Sequence, residues 1–222
     1  MPLFILLLFV FLSSDLVLGQ SEHPLTGRKI APIMGVGGAG WLERSEREKE
    51  EAPSSAIDSL GIKKGMNVAD IGAGTGYFSF RLARRVGPSG RVYANDIQPE
   101  MLDRIREKAH AEGVTNVEAV LGGEADPKLP LGKMDIVIMV DVYHELSQPQ
   151  EMLQRIRASL KPDGRLILLE YRKEDPAIPI RPDHKMSIPE VKTEVEAEGF
   201  KMDKVLETLP RQHIFFFKKL SM

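Results

Sequence analysis

The sequence predicts an α/β fold in which helices cover both faces of a mostly parallel sheet. Apolar segments of strand length alternate with amphipathic helical segments from Pro53 onward. The strand "DIVIMV" is apolar almost throughout, as expected of a strand buried on both faces. Only "PRQ" (Pro210 to Gln212) separates the last two strands, which is too short for a crossover helix, so these strands are predicted to form an antiparallel hairpin.

Length and composition narrow the class of protein. The chain has 222 residues, which suits one sizeable α/β domain. Lys and Arg number 30 against 32 Asp and Glu, so the net charge of -2 offers no broad attraction to nucleic acid, and a small-molecule partner is favoured. The chain has no cysteine, which excludes disulfides, thiolate metal sites and cysteine nucleophiles.

The chain begins with an apolar leader. "LFILLLFVFL" (Leu3 to Leu12) is shorter than the roughly 20 residues of a bilayer span. It has the length of a signal-peptide core, and Val17 and Gly19 fit the small-residue rule at a cleavage site. We therefore predict that residues 1–19 are a signal peptide and that the protein is exported, to the periplasm or by secretion. No Lys or Arg precedes the run, so the alternative is an N-terminal membrane anchor or a buried helix.

Residues 20–52 are predicted to form an N-terminal arm. Gly and Pro are frequent in "GRKIAPIMGVGGAG", which favours an extended or looping chain. The following "WLERSEREKEEAP" is dominated by charges, with opposite charges four residues apart at Glu43/Arg47, Arg44/Glu48 and Arg47/Glu51. This charged helix is either a solvated face or a lid over a cofactor site.

Residues 53–222 are predicted to form the main domain, with these segments in order. A helix in "SSAIDSL" precedes the strand "NVADI", and the helix "YFSFRLARRV" has Phe78, Leu82 and Val86 on one face. Then follow, in alternation of strand and helix, "RVYAND", "QPEMLDRIREKAHAEG", "VEAVLG", "DIVIMVDV", "QEMLQRIRASL", "RLILLEYR", "IPEVKTEVEAEG", "KMDKVLETL" and "HIFFFKK". In such sheets, ligands bind at the carboxyl ends of the strands, where the strand order reverses.

A glycine-rich turn lies at that edge. "VADIGAGTGYFS" has the spacing G-x-G-x-G rather than the dinucleotide spacing G-x-G-x-x-G, and no Lys follows it as in a P-loop. Glycines let a ligand approach the backbone, and the helix after them begins with unpaired N–H groups. Asp96 follows Gly76 by twenty residues at the end of the next strand, where a carboxylate accepts ribose hydroxyls.

Five motifs together resemble a known family. "VADIGAGTGYFS", "VYANDI", "MVDVYHEL", "LKPDGRLILLEY" and the terminal hairpin are similar to class I S-adenosylmethionine-dependent methyltransferases, especially the ubiquinone/menaquinone-methyltransferase-like (type 11) branch. The resemblance covers roughly Asn67 to Lys218. It implies a Rossmann-like seven-stranded sheet in the order 3-2-1-4-5-7-6, in which the reversed seventh strand matches the hairpin.

The resemblance also implies a cofactor and its binding residues. S-adenosylmethionine would lie against Asp70, Gly72, Gly74 and Gly76, with Asp96 at the ribose and Ile97 beside the adenine. The acidic residue near the adenine amino group would be Glu124 or Asp126 in "LGGEADPKLP", and Glu124 is our choice. The cofactor is a sulfonium, so a cleft rimmed by Asp70, Asp96 and Asp141 suits its positive charge.

The acceptor is expected at the ends of the fourth and fifth strands. "DVYHEL" places Tyr143, His144 and Glu145 there, and His144 is either a general base or a residue that only hydrogen-bonds its surroundings. Tyr171, in "EYRKED", either closes the acceptor pocket or lies in the core with its hydroxyl satisfied. We take His144, Tyr143 and Tyr171 as the candidate catalytic residues.

Other histidines leave a metal site as a possibility without a motif. His144, His184 and His213 follow different strands and could converge, but their spacing matches no ligand motif, so we predict no metal. The predicted function is methyl transfer to a small organic acceptor. The alternatives are a non-catalytic cofactor-binding or interaction module on the same fold, and a nicotinamide oxidoreductase, which the glycine spacing disfavours.

Overall fold

The computed structural model describes residues 21–220. The predicted signal peptide over residues 1–19 lies outside the described residues and stays a prediction, as does export. Among the described helices, none combines the length and the apolar character needed to cross a bilayer.

The predicted alternation of strands and helices is confirmed. The arm carries the short helices α1 (Ala39–Leu42) and α2 (Arg47–Glu51). The helices of the main domain are α3 (Pro53–Ser59), α4 (Tyr77–Val86), α5 (Pro99–Glu112), α6 (Pro149–Ser159) and α7 (Ile188–Ala197). The strands are β1 (Asn67–Ile71), β2 (Arg91–Asp96), β3 (Val117–Leu121), β4 (Met134–Val140), β5 (Leu160–Arg172), β6 (Lys185–Met186), β7 (Phe200–Leu206) and β8 (Gln212–Lys219).

The strands form one sheet in the order β3-β2-β1-β4-β5-β8-β7. β1 to β5 are parallel, whereas β8 is antiparallel to both β5 and β7, so the predicted terminal hairpin is confirmed. The short β6 pairs with β5 and was not predicted, because a strand of two residues leaves no periodic pattern in the sequence. Without β6, the seven main strands have the predicted order.

The core lies on both faces of the sheet, and strand β8 shows how the sequence divides between them. Successive side chains of a strand point to opposite faces. Phe215 and Phe217 accordingly pack in one apolar cluster, while Ile214 and Phe216 pack in the other. All four side chains are buried, so the aromatic residues of "HIFFFKK" belong to the core.

The arm crosses the edge of the sheet at which the parallel strands end. Its first part is fixed by Arg28, whose guanidinium donates to both carboxylate oxygens of Glu194 on α7 at 2.9 and 3.0 Å. The backbone N–H of Ala31 donates to the carbonyl of His144 at 3.0 Å. Further along, the side chain of Gln98 donates to the Met34 carbonyl at 3.0 Å. These bonds hold the arm across the edge at which a ligand is expected.

Candidate functional site

The glycine turn between β1 and α4 has the backbone geometry that its sequence predicts. Gly72 and Gly74 have φ angles of 69° and 55°, in the left-handed region that favours glycine. A side chain at Gly74 would also be only 2.7 Å from Cδ1 of Leu42 in the arm. The turn therefore needs glycine for its conformation, and at Gly74 also for the close approach of the arm.

Asp96 is held by the glycine turn at the end of β2. One carboxylate oxygen accepts the N–H of Gly74 at 2.8 Å, and the other accepts the N–H of Gln98 at 2.9 Å. Burial raises the pKa of Asp96, and these backbone donors counteract part of the rise. Because each oxygen can accept more than one hydrogen bond, the oriented carboxylate can also receive the two hydroxyls of a ribose.

A cavity lies above the carboxyl ends of β1, β2 and β4, and it encloses about 900 Å³ of empty space including its open mouth. Six residues predicted to bind cofactor line it: Gly72, Gly74, Asp96, Ile97, Glu124 and Asp141. The arm supplies apolar side chains to the same wall, namely Ile33, Met34, Trp41 and Leu42. The cavity thus combines acidic groups on the side of the sheet with an apolar cover from the arm.

Asp141 directly follows the apolar strand β4, and both its backbone conformation and its hydrogen bonding are unusual. Its φ is 55°, one of the few positive values at a residue other than glycine in the described chain. Gln212 donates to one carboxylate oxygen at 2.7 Å, whereas the other oxygen is buried without a hydrogen-bond partner among residues 21–220. Burial, together with Glu51 and Glu170, raises the pKa of Asp141 well above its usual range. Sequence reasoning missed Gln212, because it reaches Asp141 only through the register of β8 on β5, which lies between β8 and β4 in the sheet.

The other two residues of the predicted cofactor set, Asp70 and Gly76, lie next to the cavity. Asp70 is buried on β1, accepts the Ser79 hydroxyl at 2.6 Å, and lines a small hollow beside the glycine turn rather than the main cavity. Gly76 lies just before α4, with a φ of 80°.

Glu124 lines the cavity and accepts the Ser147 hydroxyl at 2.8 Å. Asp126 instead accepts the backbone N–H and the ammonium of Lys128.

Comparison with known proteins decides the family. A family model described as a methyltransferase domain matches residues 62–210, about two thirds of the chain. The chain belongs to the class I S-adenosylmethionine-dependent methyltransferases. S-adenosylmethionine is therefore its cofactor.

Relatives and solved structures agree with that assignment. The methyltransferase is 37% identical over 118 residues to the ubiquinone/menaquinone biosynthesis C-methyltransferase UbiE of Pasteurella multocida, covering 53% of this chain and 44% of that protein. The UbiE protein of Escherichia fergusonii is 33% identical over the same length, 47% of its own chain. The chain thus matches less than half the length of these curated relatives.

Two solved structures match over nearly their whole length. The crystal structure of a SAM-dependent methyltransferase from Aquifex aeolicus has a TM-score of 0.79 and 29% identity, covering 83% of this methyltransferase and 98% of that chain. That of a putative type 11 methyltransferase from Sulfolobus solfataricus has a TM-score of 0.65 and 20% identity, covering 78% and 95%. At 20% identity, the match to the second structure shows a shared fold alone.

The side chains of the cavity suit a positively charged cofactor. Asp96, Glu124, Asp141 and Glu145 line it, and the only Lys or Arg among its described lining residues is Arg47. Arg47 is paired with Glu51 at 2.8 Å, and its charge offsets only part of the effect of burial on Asp141. The buried, unpartnered oxygen of Asp141 is a further acceptor for a cationic or hydrogen-bond-donating group. The acidic, hydrogen-bond-accepting side chains of the cavity therefore fit S-adenosylmethionine.

None of the three candidate catalytic residues lines this cavity in the described chain. Tyr143 is fully buried in the core, with the guanidinium of Arg28 over its ring at 5.4 Å. His144 is buried, with Nδ1 2.6 Å from a carboxylate oxygen of Glu170. Tyr171 donates its hydroxyl to Glu51 at 2.6 Å, the satisfied core position that was the alternative in the sequence analysis.

Two of the three histidines that could converge do so. Nε2 of His144 lies 3.1 Å from Nδ1 of His184, and Oε1 of Glu145 lies 3.9 and 3.8 Å from these two nitrogens. His213 is not part of this group, since its Nε2 lies 3.2 Å from Glu174. Burial raises the pKa of Glu145 to about 7, and its side chain lines the cavity.

The two charged residues at the ends of helix α2 are buried, so the interpretation of the charged helix as a solvated face is wrong for these two residues. Arg47 and Glu51 are only 4% and 1% exposed. Glu51 receives hydrogen bonds from Arg44, Arg47 and Tyr171, and the Arg47 guanidinium lies 4.3 Å from the centre of the Tyr77 ring. The i,i+4 pattern showed the Arg47–Glu51 pair but not its burial, because its burial depends on Tyr171 and Tyr77, which lie far away in sequence.

Proposed function

We propose that this methyltransferase transfers the methyl group of S-adenosylmethionine to a small, largely apolar organic acceptor that binds beneath the arm. The supporting observation is the composition of the cavity wall. The glycine turn and Asp96 lie on one side, and Ile33, Met34 and Trp41 of the arm lie on another. One space therefore provides polar groups for the cofactor and apolar contacts for a second molecule.

The residues of the chain would act mainly by binding and alignment. When bound, S-adenosylmethionine supplies a methyl group on a positively charged sulfur. Asp96 would hold the ribose hydroxyls, and Glu124 would accept from the adenine amino group. Asp141 would face the positively charged end through its unpartnered oxygen. In-line transfer depends on holding the two reactants at the right distance and angle, and a general base is required only for an acceptor that must lose a proton.

The relatives suggest a narrower class of acceptor. The curated relatives are named as C-methyltransferases of ubiquinone and menaquinone biosynthesis. An electron-rich ring of the hydroquinone type is small and largely apolar, which suits the apolar side chains of the arm. We therefore place hydroquinones first among the acceptors to be assayed.

Calorimetric titration of the full chain tests the cofactor site. S-adenosylmethionine should bind and NAD should not. Asp96→Asn should weaken binding about 10–100-fold, because hydrogen bonds to a charged carboxylate contribute about 1.5–3 kcal/mol. Asp126→Asn is the matched control and should leave affinity unchanged, since this carboxylate bonds to Lys128 and does not line the described cavity. Equal effects of the two variants would contradict the proposed orientation.

Formation of S-adenosylhomocysteine in the presence of short-chain hydroquinones tests transfer itself. Turnover with any of them supports the proposed reaction. Cofactor binding without turnover would favour the second candidate, a non-catalytic cofactor-binding module. One observation favours that candidate, namely that His144, Tyr143 and Tyr171 do not line the described cavity.

A further inference from the structure

The cluster of His144, Glu145 and His184 has the dimensions of a metal site. The atoms His144 Nε2, His184 Nδ1 and Glu145 Oε1 are separated by 3.1, 3.8 and 3.9 Å. In the plane of these three atoms, the point at equal distance from all of them lies about 2.1 Å from each. This distance matches the roughly 2.0–2.2 Å at which zinc binds imidazole nitrogen and carboxylate oxygen.

Hydrogen bonds within the cluster do not explain why Glu145 faces the two imidazoles, although the backbone of Met34 also hydrogen-bonds to Glu145. The two imidazoles are close enough to share a hydrogen bond at 3.1 Å. Glu145 is 3.8 and 3.9 Å from the two nitrogens, which is too far for a hydrogen bond to either. A cation at the centre of the three atoms would contact each of them.

The surroundings of His144 prepare it as a ligand. Its Nδ1 lies 2.6 Å from Oε2 of Glu170, while the other oxygen of Glu170 accepts the N–H of Tyr143 at 2.9 Å. A carboxylate that accepts a hydrogen bond from Nδ1–H leaves the lone pair of Nε2 available and fixes the plane of the ring. Ligand histidines in metalloproteins commonly have such a partner.

Charge and access are also compatible with a cation. Glu145 and Glu170 place two carboxylates around two imidazoles, and a divalent cation would neutralise negative charge that burial otherwise makes unfavourable. The His184 side chain is 21% exposed, which leaves a route from solvent. Glu145 lines the cofactor cavity, so an ion bound to it would lie at the cavity wall.

We propose that His144, Glu145 and His184 bind a divalent transition-metal ion such as Zn²⁺ beside the cofactor cavity. Two imidazoles and one carboxylate are ligands that zinc and its first-row neighbours favour. Three protein ligands leave at least one coordination position for water or for an oxygen atom of the acceptor. No sequence motif marks this site, because His184 lies about forty residues after the other two ligands.

Titration of the chelator-treated full chain with Zn²⁺ tests the site without using activity. One equivalent should bind, and the same equivalent of Co²⁺ should give visible absorption bands from ligand coordination. His184→Ala, which alters a partly exposed turn, should weaken Zn²⁺ binding at least tenfold. Glu145→Gln, which keeps the shape of the side chain, should do the same. Glu170→Gln should weaken binding about 10–100-fold by releasing the orientation of His144.

His110→Ala is the matched control, because His110 is exposed on α5, away from the cluster. It should leave Zn²⁺ affinity unchanged. Absence of an equivalent of bound Zn²⁺ would overturn the proposal and leave the two imidazoles as a hydrogen-bonded pair. Binding that survives both His184→Ala and Glu145→Gln would overturn it too, since the ion would then be bound elsewhere. Neither result depends on the S-adenosylmethionine titration, so this proposal and the proposed function can fail separately.

Discussion

We predict that the free energy of unfolding of Asp70→Asn, compared with that of wild type, increases as the pH rises. Asp70 is 2% exposed near the end of β1, and its carboxylate accepts hydrogen bonds from the hydroxyl of Ser79, at 2.6 Å, and from the Ser79 backbone. Burial is the main cause that raises the pKa of this carboxyl from 3.8 to about 6, although Ser79 and Arg47 both oppose the rise. Asn keeps an oxygen that can accept from Ser79 and carries no charge.

The pKa difference fixes the sign and size of the effect. Between pH 3.8 and 6 the folded protein holds a proton at Asp70 that the unfolded chain has released, so stability from this group falls as the pH rises through that range. The whole shift corresponds to about 3 kcal/mol, present only below the unfolded pKa. About 1.4 kcal/mol of it remains at pH 5 and almost none at pH 8. The variant has no such group.

Urea denaturation of both proteins at pH 5 and pH 8 measures the effect. The free energy of unfolding of Asp70→Asn relative to wild type should increase by about 1.4 kcal/mol from the lower to the higher pH. Asp103→Asn removes an exposed carboxyl from α5 and is the control for loss of a charge elsewhere. A relative stability that does not change with pH, or that moves in favour of wild type, would refute the reasoning and show that Arg47 outweighs burial.

Three further substitutions test how the turn and the arm are held. Gly74→Ala should lower the free energy of unfolding, measured by urea denaturation, by more than Gly113→Ala does. Both glycines have a positive φ, but only the new methyl group at position 74 would contact another side chain. Tyr171→Phe should lower the free energy of unfolding by about 1–2 kcal/mol, because the buried carboxylate of Glu51 loses a hydrogen-bond donor. Its affinity for S-adenosylmethionine in calorimetry should not change. A large loss of affinity would instead place Tyr171 at the cofactor. Glu194→Ala should cost about 3–5 kcal/mol in the same denaturation assay, because it leaves the buried guanidinium of Arg28 unpaired; a cost below 1 kcal/mol would show that this pair does not hold the arm.

The strands and helices of the main domain could be predicted because each has its own local pattern. "YFSFRLARRV" and "RVYAND" coincide with α4 and β2 residue for residue. Apolar spacing depends on neighbours within one element, so it is visible in the sequence alone. The same holds for the glycine turn and Asp96, since a strand end followed by glycines and a carboxylate at the next strand end both lie at one edge of a parallel sheet.

The contacts around the site could not be predicted in this way. Gln212 reaches Asp141 from a strand about seventy residues later, and Glu51 receives the hydroxyl of Tyr171 across 120 residues. Such contacts follow from strand order and side-chain direction, which leave no periodic trace. The same reason explains why the catalytic candidates lie near the expected strand ends but do not line the described cavity. The sequence indicates their positions along the strands but not the direction of their side chains.

The carboxylates at the glycine turn oppose folding and favour the cofactor for the same physical reason. Burial raises the pKa of Asp70, Asp96 and Asp141, so each is less stable as an anion in the folded protein than in water. A sequence selected for stability alone would place neutral side chains there. A cationic ligand reverses the balance, because in a site of low dielectric its attraction to these anions is stronger than it would be in water. The burial that makes these charges unfavourable for folding thus also favours the binding of a sulfonium.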